Sequence, residues 1–409
     1  MAALTHQTRC LMDVQPVAAT QISFEDTATA FAHRSDTDLR KMHLIFSVIN
    51  QPLLNSAGTR LARLALGLRL PFSEMLVKRT VFEHFCGGVS IQDTAASIAQ
   101  LAEYGIGSIL DYSVEGEKTE RGFERTEKEI LRTIEHAAEH PDIPFAVFKV
   151  TGIAPFALLE KKQTGTPLSP AEQERWEAVR QRMENIVRRA YERDVRLLVD
   201  AEETWIQDTI DELVYEMMQK YNSEKAILYN TYQLYTKAAL PNLRRAHRQA
   251  VQKQFYLGAK LVRGAYMEKE RERAQKMGYE DPIQPSKQAT DDDFDAALKF
   301  CVDKKQRIAL CAGSHNEYSN YYLAVLMEKY NIAPNDPNFY FAQLYGMSDH
   351  ISFNLAKAGY NVAKYLPYGP VRSVMPYLIR RAQENTSVKG QSSREFALIQ
   401  RELRRRNGK

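Results

Sequence analysis

Eight short apolar runs recur along the chain, each followed by a polar turn and a long charged stretch, and this alternation limits the fold more than any other feature. The runs are IGSIL (106–110), FAVFKV (145–150), VRLLVD (195–200), AILYNTY (226–232), LGAKLV (257–262), RIALCA (307–312), FYFAQL (339–344) and NVAKYL (361–366). Their β-branched and aromatic content, and lengths of about 5–7 residues, suit strands buried on both faces. The intervening stretches carry helical spacing. One of them, 168–193, opens on Ser169-Pro170, a cap residue followed by a first-turn proline. Eight strand–helix units predict an α/β fold, a (βα)8 TIM-type barrel over 101–388. An open doubly wound sheet is the rival, but Gly105-Ile-Gly107 lacks a third glycine and stands before its strand.

The flanks read differently. Residues 1–23 are expected to be a disordered start without the apolar core of a signal peptide. Residues 24–100 are expected to form an N-terminal helical arm, with apolar spacing around Met42–Val48 and Ile91–Leu101. The polar insertion 267–289 is long enough for a lid or a surface excursion. The chain has 409 residues, with 55 basic against 51 acidic side chains and a net charge of +4, too balanced for a general nucleic-acid binder. That whole excess sits in 391–409, where Arg394, Arg401, Arg404, Arg405, Arg406 and Lys409 face only Glu395 and Glu402. Phe396, Ile399 and Leu403 interleave with them, so a basic helix resting on anionic lipid is expected, with a tail docked on the barrel or disordered as the alternative.

Four cysteines (Cys10, Cys86, Cys301, Cys311) form no C-x-x-C pair and suit a reduced, intracellular compartment. No window is apolar enough to span a membrane. His136-Ala-Ala-Glu139-His140 has the form of an H-x-x-E-H zinc motif, but it ends a helix before Pro141 with no further ligand in view; no metal is expected.

In a barrel, chemistry gathers at the C-terminal ends of the strands. There the sequence places Lys149, then Asp200-Ala201-Glu202-Glu203, Gln233, Lys260, Arg263-Gly264-Ala265-Tyr266, Ser314-His315-Asn316, Gly346 and Tyr365. Loop solvation and helix capping explain part of this set. They do not explain Lys149 and Lys260, each inside an apolar run, where an ammonium needs an anionic partner or a cavity. In the last helix, GPVRSVMPYLIRRAQENTS, the apolar residues fall on one stripe, and Tyr377, Arg380, Arg381 and Glu384 share the opposite side. Two adjacent guanidiniums suit a carboxylate. A solvated face with an Arg380–Glu384 pair is the bland alternative.

These residues carry a resemblance. KLVRGAYMEKERERA (260–274), Ser314-His315-Asn316, FYFAQLYGM (339–347), YLPYGPVRSVMPYLIRRAQENTS (365–387), FCGGVS (85–90) and LLVDAEET (197–204) resemble the proline dehydrogenase family, in its compact single-function form. The resemblance implies a distorted barrel that binds FAD, oxidises L-proline to Δ1-pyrroline-5-carboxylate and passes electrons to a membrane quinone. It implies that Arg380 and Arg381, with Lys149, grip the substrate carboxylate, and that Tyr266, Leu344, Tyr365 and Tyr377 enclose its ring. Asp200 and Lys260 take catalytic roles by the same likeness. Ala201, Gln233, Lys260, Val262, Arg263, Gly264, Ala265, Ser314, His315, Asn316 and Glu384 match flavin-contact positions. Many bacterial members have arginine at the place of Lys260 and lysine at that of Arg263, and Met267 replaces an aromatic residue. Implied partners are L-proline, a quinone, a membrane surface and a downstream pyrroline-5-carboxylate dehydrogenase. The expected location is the inner face of a bacterial cell membrane, with the mitochondrial matrix face as alternative. Hydroxyproline oxidation is the rival within the scaffold, with Tyr365 favouring proline; a flavin-free lyase or hydrolase acting on a small anion is the rival outside it.

Overall fold

A computed structural model describes residues 22–49, 81–112, 117–371, 373–375, 377–378 and 391–408. Residues 1–21 of the expected disordered start, residues 50–80 of the arm, and the site candidates Arg380, Arg381 and Glu384 lie outside the described residues.

Eight parallel strands close into a barrel in chain order. They are β1 (Ile106–Tyr112), β2 (Phe145–Lys149), β3 (Arg196–Asp200), β4 (Leu228–Gln233), β5 (Leu257–Val262), β6 (Ile308–Gly313), β7 (Phe339–Leu344) and β8 (Val362–Tyr368). All eight apolar runs are strands, each within two residues of its expected bounds. Alternate side chains point inward. Ile109, Phe145, Val147, Leu198, Tyr229, Ala309, Cys311, Ala342, Ala363 and Tyr365 fill the barrel, while a larger apolar layer joins strands to surrounding helices. The Phe145 ring meets Tyr229 and Tyr340 edge-on at 5.4 and 4.9 Å, and Arg196 lies over Phe145 and Tyr340, closing the N-terminal end. A filled lower barrel leaves the C-terminal mouth as the place for chemistry.

The helix Pro170–Glu192 begins where the sequence indicated. Ser169 accepts from the Glu172 backbone and Glu172 reaches back to Ser169, a reciprocal cap. The insertion after β5 is neither loose nor a simple excursion. It contains the helix Met267–Met277, whose Glu270 is fully buried and accepts from the Thr204 backbone N–H at 2.7 Å and hydroxyl at 2.6 Å. Arg273 stacks 4.4 Å from the Trp205 ring centroid. Ile283 then bridges Thr236 before the helix Lys287–Asp303 returns to the barrel.

The expectation that the C-terminal tail lays its apolar residues on lipid is corrected. Gln391–Arg406 is a helix, but Leu398 and Ile399 are buried against Ala30 of the helix Thr27–Ala30, Phe31 just past it, and Leu39, Met42 and Phe46 of the helix Asp36–Ile49, with Phe396 and Leu403 packed alongside. The physical reason is that the arm presents an apolar face with the same spacing, and burial against it removes both faces from water. Several of the tail's arginines also pair internally: Arg401 with Glu25, Arg406 with Asp36 and Glu402, Arg405 with Glu402. Among the described residues no helix is long and apolar enough to cross a membrane.

Candidate active site

Asp200 is the last residue of β3 and pairs in register with Lys149, the last of β2. Inward parity brings Lys260 of β5 and Tyr365 of β8 to the same place. Lys260 Nζ donates to Asp200 Oδ1 at 2.6 Å, and the Tyr365 hydroxyl donates to Oδ2 at 2.7 Å. Lys149 Nζ lies 3.4 Å from Oδ2. Both lysines thus have the anionic partner that their apolar surroundings demanded, and it is one shared carboxylate. Lys260 also sits 4.6 Å from the Tyr365 ring centroid. Burial alone would raise the Asp200 carboxyl; Lys260, Lys149 and the Tyr365 hydrogen bond outweigh it and hold the group at about 2. Burial, then the neighbouring Asp200 and Asp111 charges, push the Tyr365 phenol well above its ordinary value, so it stays a donor.

A second group gathers on the exits of β5 and β6. Arg263 donates through Nε to Asp291 at 2.7 Å, through one terminal nitrogen to Ser314 Oγ at 2.8 Å and through the other to Ser319 Oγ at 3.0 Å. Its guanidinium stacks 4.4 Å from the Phe294 ring centroid. These contacts fix the fork in one orientation. Gly264 follows with φ +133, and a Cβ there would stand 2.4 Å from the Tyr235 ring. Asn316 caps the helix Glu317–Lys329, and His315 Nδ1 lies 2.9 Å from Ser348 Oγ. Between the two groups, Gln233 donates to the Glu202 carbonyl at 2.7 Å beside the buried Ala201. Val262 ends β5, and Ala265 continues its exit loop.

Leu344 packs both against the barrel interior with Tyr365 and against the cluster that holds Tyr377, Phe82, Phe85 and Met347. It joins the two tyrosines expected to enclose a ring. Tyr266 stands at the start of the helix Met267–Met277, where its carbonyl accepts from Glu270.

Two polar residues of this region, Asp111 and Ser348, escaped sequence reasoning, and a third, Glu202, was seen only as part of the Asp200–Glu203 strand end. Asp111 is 2% exposed on β1 and shares the inward parity of Ile109; ending the first run at residue 110 hid it, although period-two counting reaches it. Glu202 is buried and accepts from both the backbone and the hydroxyl of Thr151, tethering the turn after Lys149. Its position in an acidic triplet gave no separate signal. Ser348, fully buried with φ +52, could not be told from an ordinary loop serine.

A closed parallel barrel with buried, mutually compensated charges at its C-terminal mouth is the site of a TIM-barrel enzyme. Residues 94–394 match the family model described as proline dehydrogenase. The chain belongs to the proline dehydrogenase family. It is 33% identical over 428 residues to proline dehydrogenase 1, mitochondrial, of Dictyostelium discoideum, covering 93% of this chain and 74% of that one. It is 44% identical over 229 residues to the Homo sapiens protein of the same name, covering 55% of this chain and 38% of that one. Relatives from Drosophila melanogaster and Caenorhabditis elegans are likewise matched over only 37% and 40% of their length. Among solved structures, proline utilization A from Bdellovibrio bacteriovorus inactivated by N-propargylglycine superposes with a TM-score of 0.69 at 18% identity. That superposition covers 89% of this chain and 38% of that one, and it bears on the fold alone.

Proposed function

We propose that this chain oxidises L-proline to Δ1-pyrroline-5-carboxylate with FAD as its cofactor. The observation that carries the reading is the Asp200 carboxylate shared by Lys149, Lys260 and Tyr365 at the mouth of a family-typical barrel. Residues on the β5 and β6 exits suit a dinucleotide: Arg263 holds an oriented cation for phosphate, Gly264 makes a positive-φ turn against the Tyr235 ring that no side chain could share, and Ser314, His315, Asn316 and Gln233 supply polar groups. Ala201, Val262, Ala265 and Glu384 complete the set by family likeness. FAD, when bound, supplies the hydride acceptor that no side chain can.

The chain's own residues do the rest. Arg380, Arg381 and Lys149 hold the carboxylate of the substrate and fix its ring in one orientation, which is where most of the rate is expected to originate. A cationic surround also favours the neutral amine over the ammonium, the form from which hydride can leave. Lys260, buried and locked by Asp200, presents a fixed positive charge to that wall of the site and favours electron density arriving beside it. Leu344, Tyr365, Tyr377 and Tyr266 exclude water from the ring. The Tyr365 hydroxyl gives its one proton to Asp200 and has none to donate to a C4 hydroxyl on the substrate, which favours proline over hydroxyproline.

A quinone at a membrane surface is the proposed second acceptor. With the apolar side of the C-terminal helix buried, any contact of that helix with lipid would rest on charge alone. Anaerobic addition of proline to the purified, FAD-loaded protein should bleach its visible flavin absorbance; an unchanged spectrum would overturn the reading.

A further inference from the structure

The two loops that bracket His315 are both pinned by consecutive residues of the C-terminal helix. Arg394 Nε donates to Glu317 Oε1 at 2.9 Å, and Glu317 opens the helix two residues past His315. Glu395 accepts from the Ser348 backbone N–H at 2.9 Å, and Ser348 Oγ lies 2.9 Å from His315 Nδ1. At φ +52 the Ser348 backbone is left-handed, a conformation that a serine keeps only when its surroundings hold it. They do so from both sides. Glu395 binds its N–H, and the adjacent Asp349 is locked by Lys364 at 2.8 Å, Arg34 at 3.3 Å and His33 at 3.4 Å, with Asp349, Lys364 and His33 almost fully buried. Burial, reinforced by Asp349 and opposed by Lys364 and Arg34, raises the Glu395 carboxyl to about 8. A glutamine therefore reproduces the form it holds near neutrality.

We infer that the C-terminal helix is a positioning element of the cofactor wall: through Glu395 and Ser348 it sets the ring orientation and tautomer of His315, and through Arg394 it anchors the loop that carries His315. The Ser348 hydroxyl can donate to Nδ1 or accept from it, so losing it frees both the ring's orientation and its choice of tautomer. The linkage itself stands on geometry; its consequence for the cofactor rests on the flavin reading above.

The test compares the wild-type flavoprotein with Ser348→Ala, Glu395→Ala, Glu395→Gln and, as a control on the exposed side of the same helix, Arg401→Ala. FAD affinity is measured by titration of the stripped and reloaded protein, and the His315 tautomer by ring nitrogen NMR. Ser348→Ala and Glu395→Ala should weaken FAD binding roughly three- to tenfold and turn one dominant His315 tautomer into a mixture. Glu395→Gln should restore both, and Arg401→Ala should match wild type. An unchanged His315 tautomer in Ser348→Ala, or Glu395→Gln as impaired as Glu395→Ala, overturns the linkage. A changed tautomer with unchanged FAD affinity supports the linkage and removes His315 from the cofactor wall.

Discussion

Replacing Asp200 by asparagine keeps the shape of the side chain but removes the charge that the buried Lys260 and the partly buried Lys149 face. The carboxyl is held at about 2 rather than 3.8, which corresponds to ~2 kcal/mol of folding free energy at neutral pH. Seen from the other partner, Lys260 is 6% exposed, and removing one member of a buried pair costs ~3–5 kcal/mol. The two figures describe one charge from two sides, so we expect a loss of ~3 kcal/mol rather than their total. For a chain of 409 residues that loss lowers Tm by roughly 3–4 °C. Because the folded value lies below the unfolded one, the contribution is complete above about 3.8 and disappears only as pH falls through about 2. Differential scanning calorimetry of wild type and Asp200→Asn should therefore give a gap that stays constant from about pH 8 down to about pH 5. A gap under about 1 °C, or one that fades across neutrality, would refute the account of a single shared carboxylate.

Glu202 should behave with the opposite sign. Burial, only partly offset by the Thr151 donors, raises its carboxyl to about 7, so the folded state holds a proton that the unfolded chain has lost above about 4.5. Glu202→Gln should gain Tm relative to wild type as pH rises through that interval; a pH-independent difference counts against it. Arg380→Met and Arg381→Met should each raise KM for proline by roughly ten- to a hundredfold while FAD stays bound, and unaltered proline kinetics would remove the carboxylate assignment. Deleting 391–409 should lower Tm and reduce activity equally with a soluble dye and with quinone vesicles, because it uncovers Phe31, Leu39, Met42 and Phe46. A loss confined to the vesicle assay would instead restore a membrane role for this helix.

The barrel was legible because strands buried on both faces leave uninterrupted apolar runs, and eight of those with helical spacing between them admit few topologies. The lysines at 149 and 260 were legible for the same reason, since a charge inside such a run is conspicuous. Their partner was visible as a residue but not as a partner: nothing local says that Asp200 will serve two lysines from strands on either side of it. Ser348 was illegible because its role depends on a left-handed backbone and on a carboxylate 47 residues later. The tail misled because an amphipathic helix has the same spacing whether lipid or protein covers it, and the arm that covers it reads only as more amphipathic helix.

The charges at the mouth also say where substrate affinity must originate. Among the described residues, Asp111 and Asp200 reach the inner end of the barrel mouth on one side of the account, Lys149 and Lys260 on the other. The formal charge of those four is zero. An incoming carboxylate would meet a cup already balanced, and its desolvation would be poorly compensated by groups that hold one another. The inner cluster therefore orients more than it attracts: Lys260 is a fixed cation, and Lys149 would divide its charge between Asp200 and the substrate carboxylate. Attraction has to be supplied by groups added beyond it, and the chain places two adjacent guanidiniums on the segment that leaves β8, next to the Tyr377 that Leu344 ties to the interior. On the proposed assignment, Arg380 and Arg381 would take the substrate carboxylate and the tyrosines its ring, so an anionic ring substrate would have a single orientation.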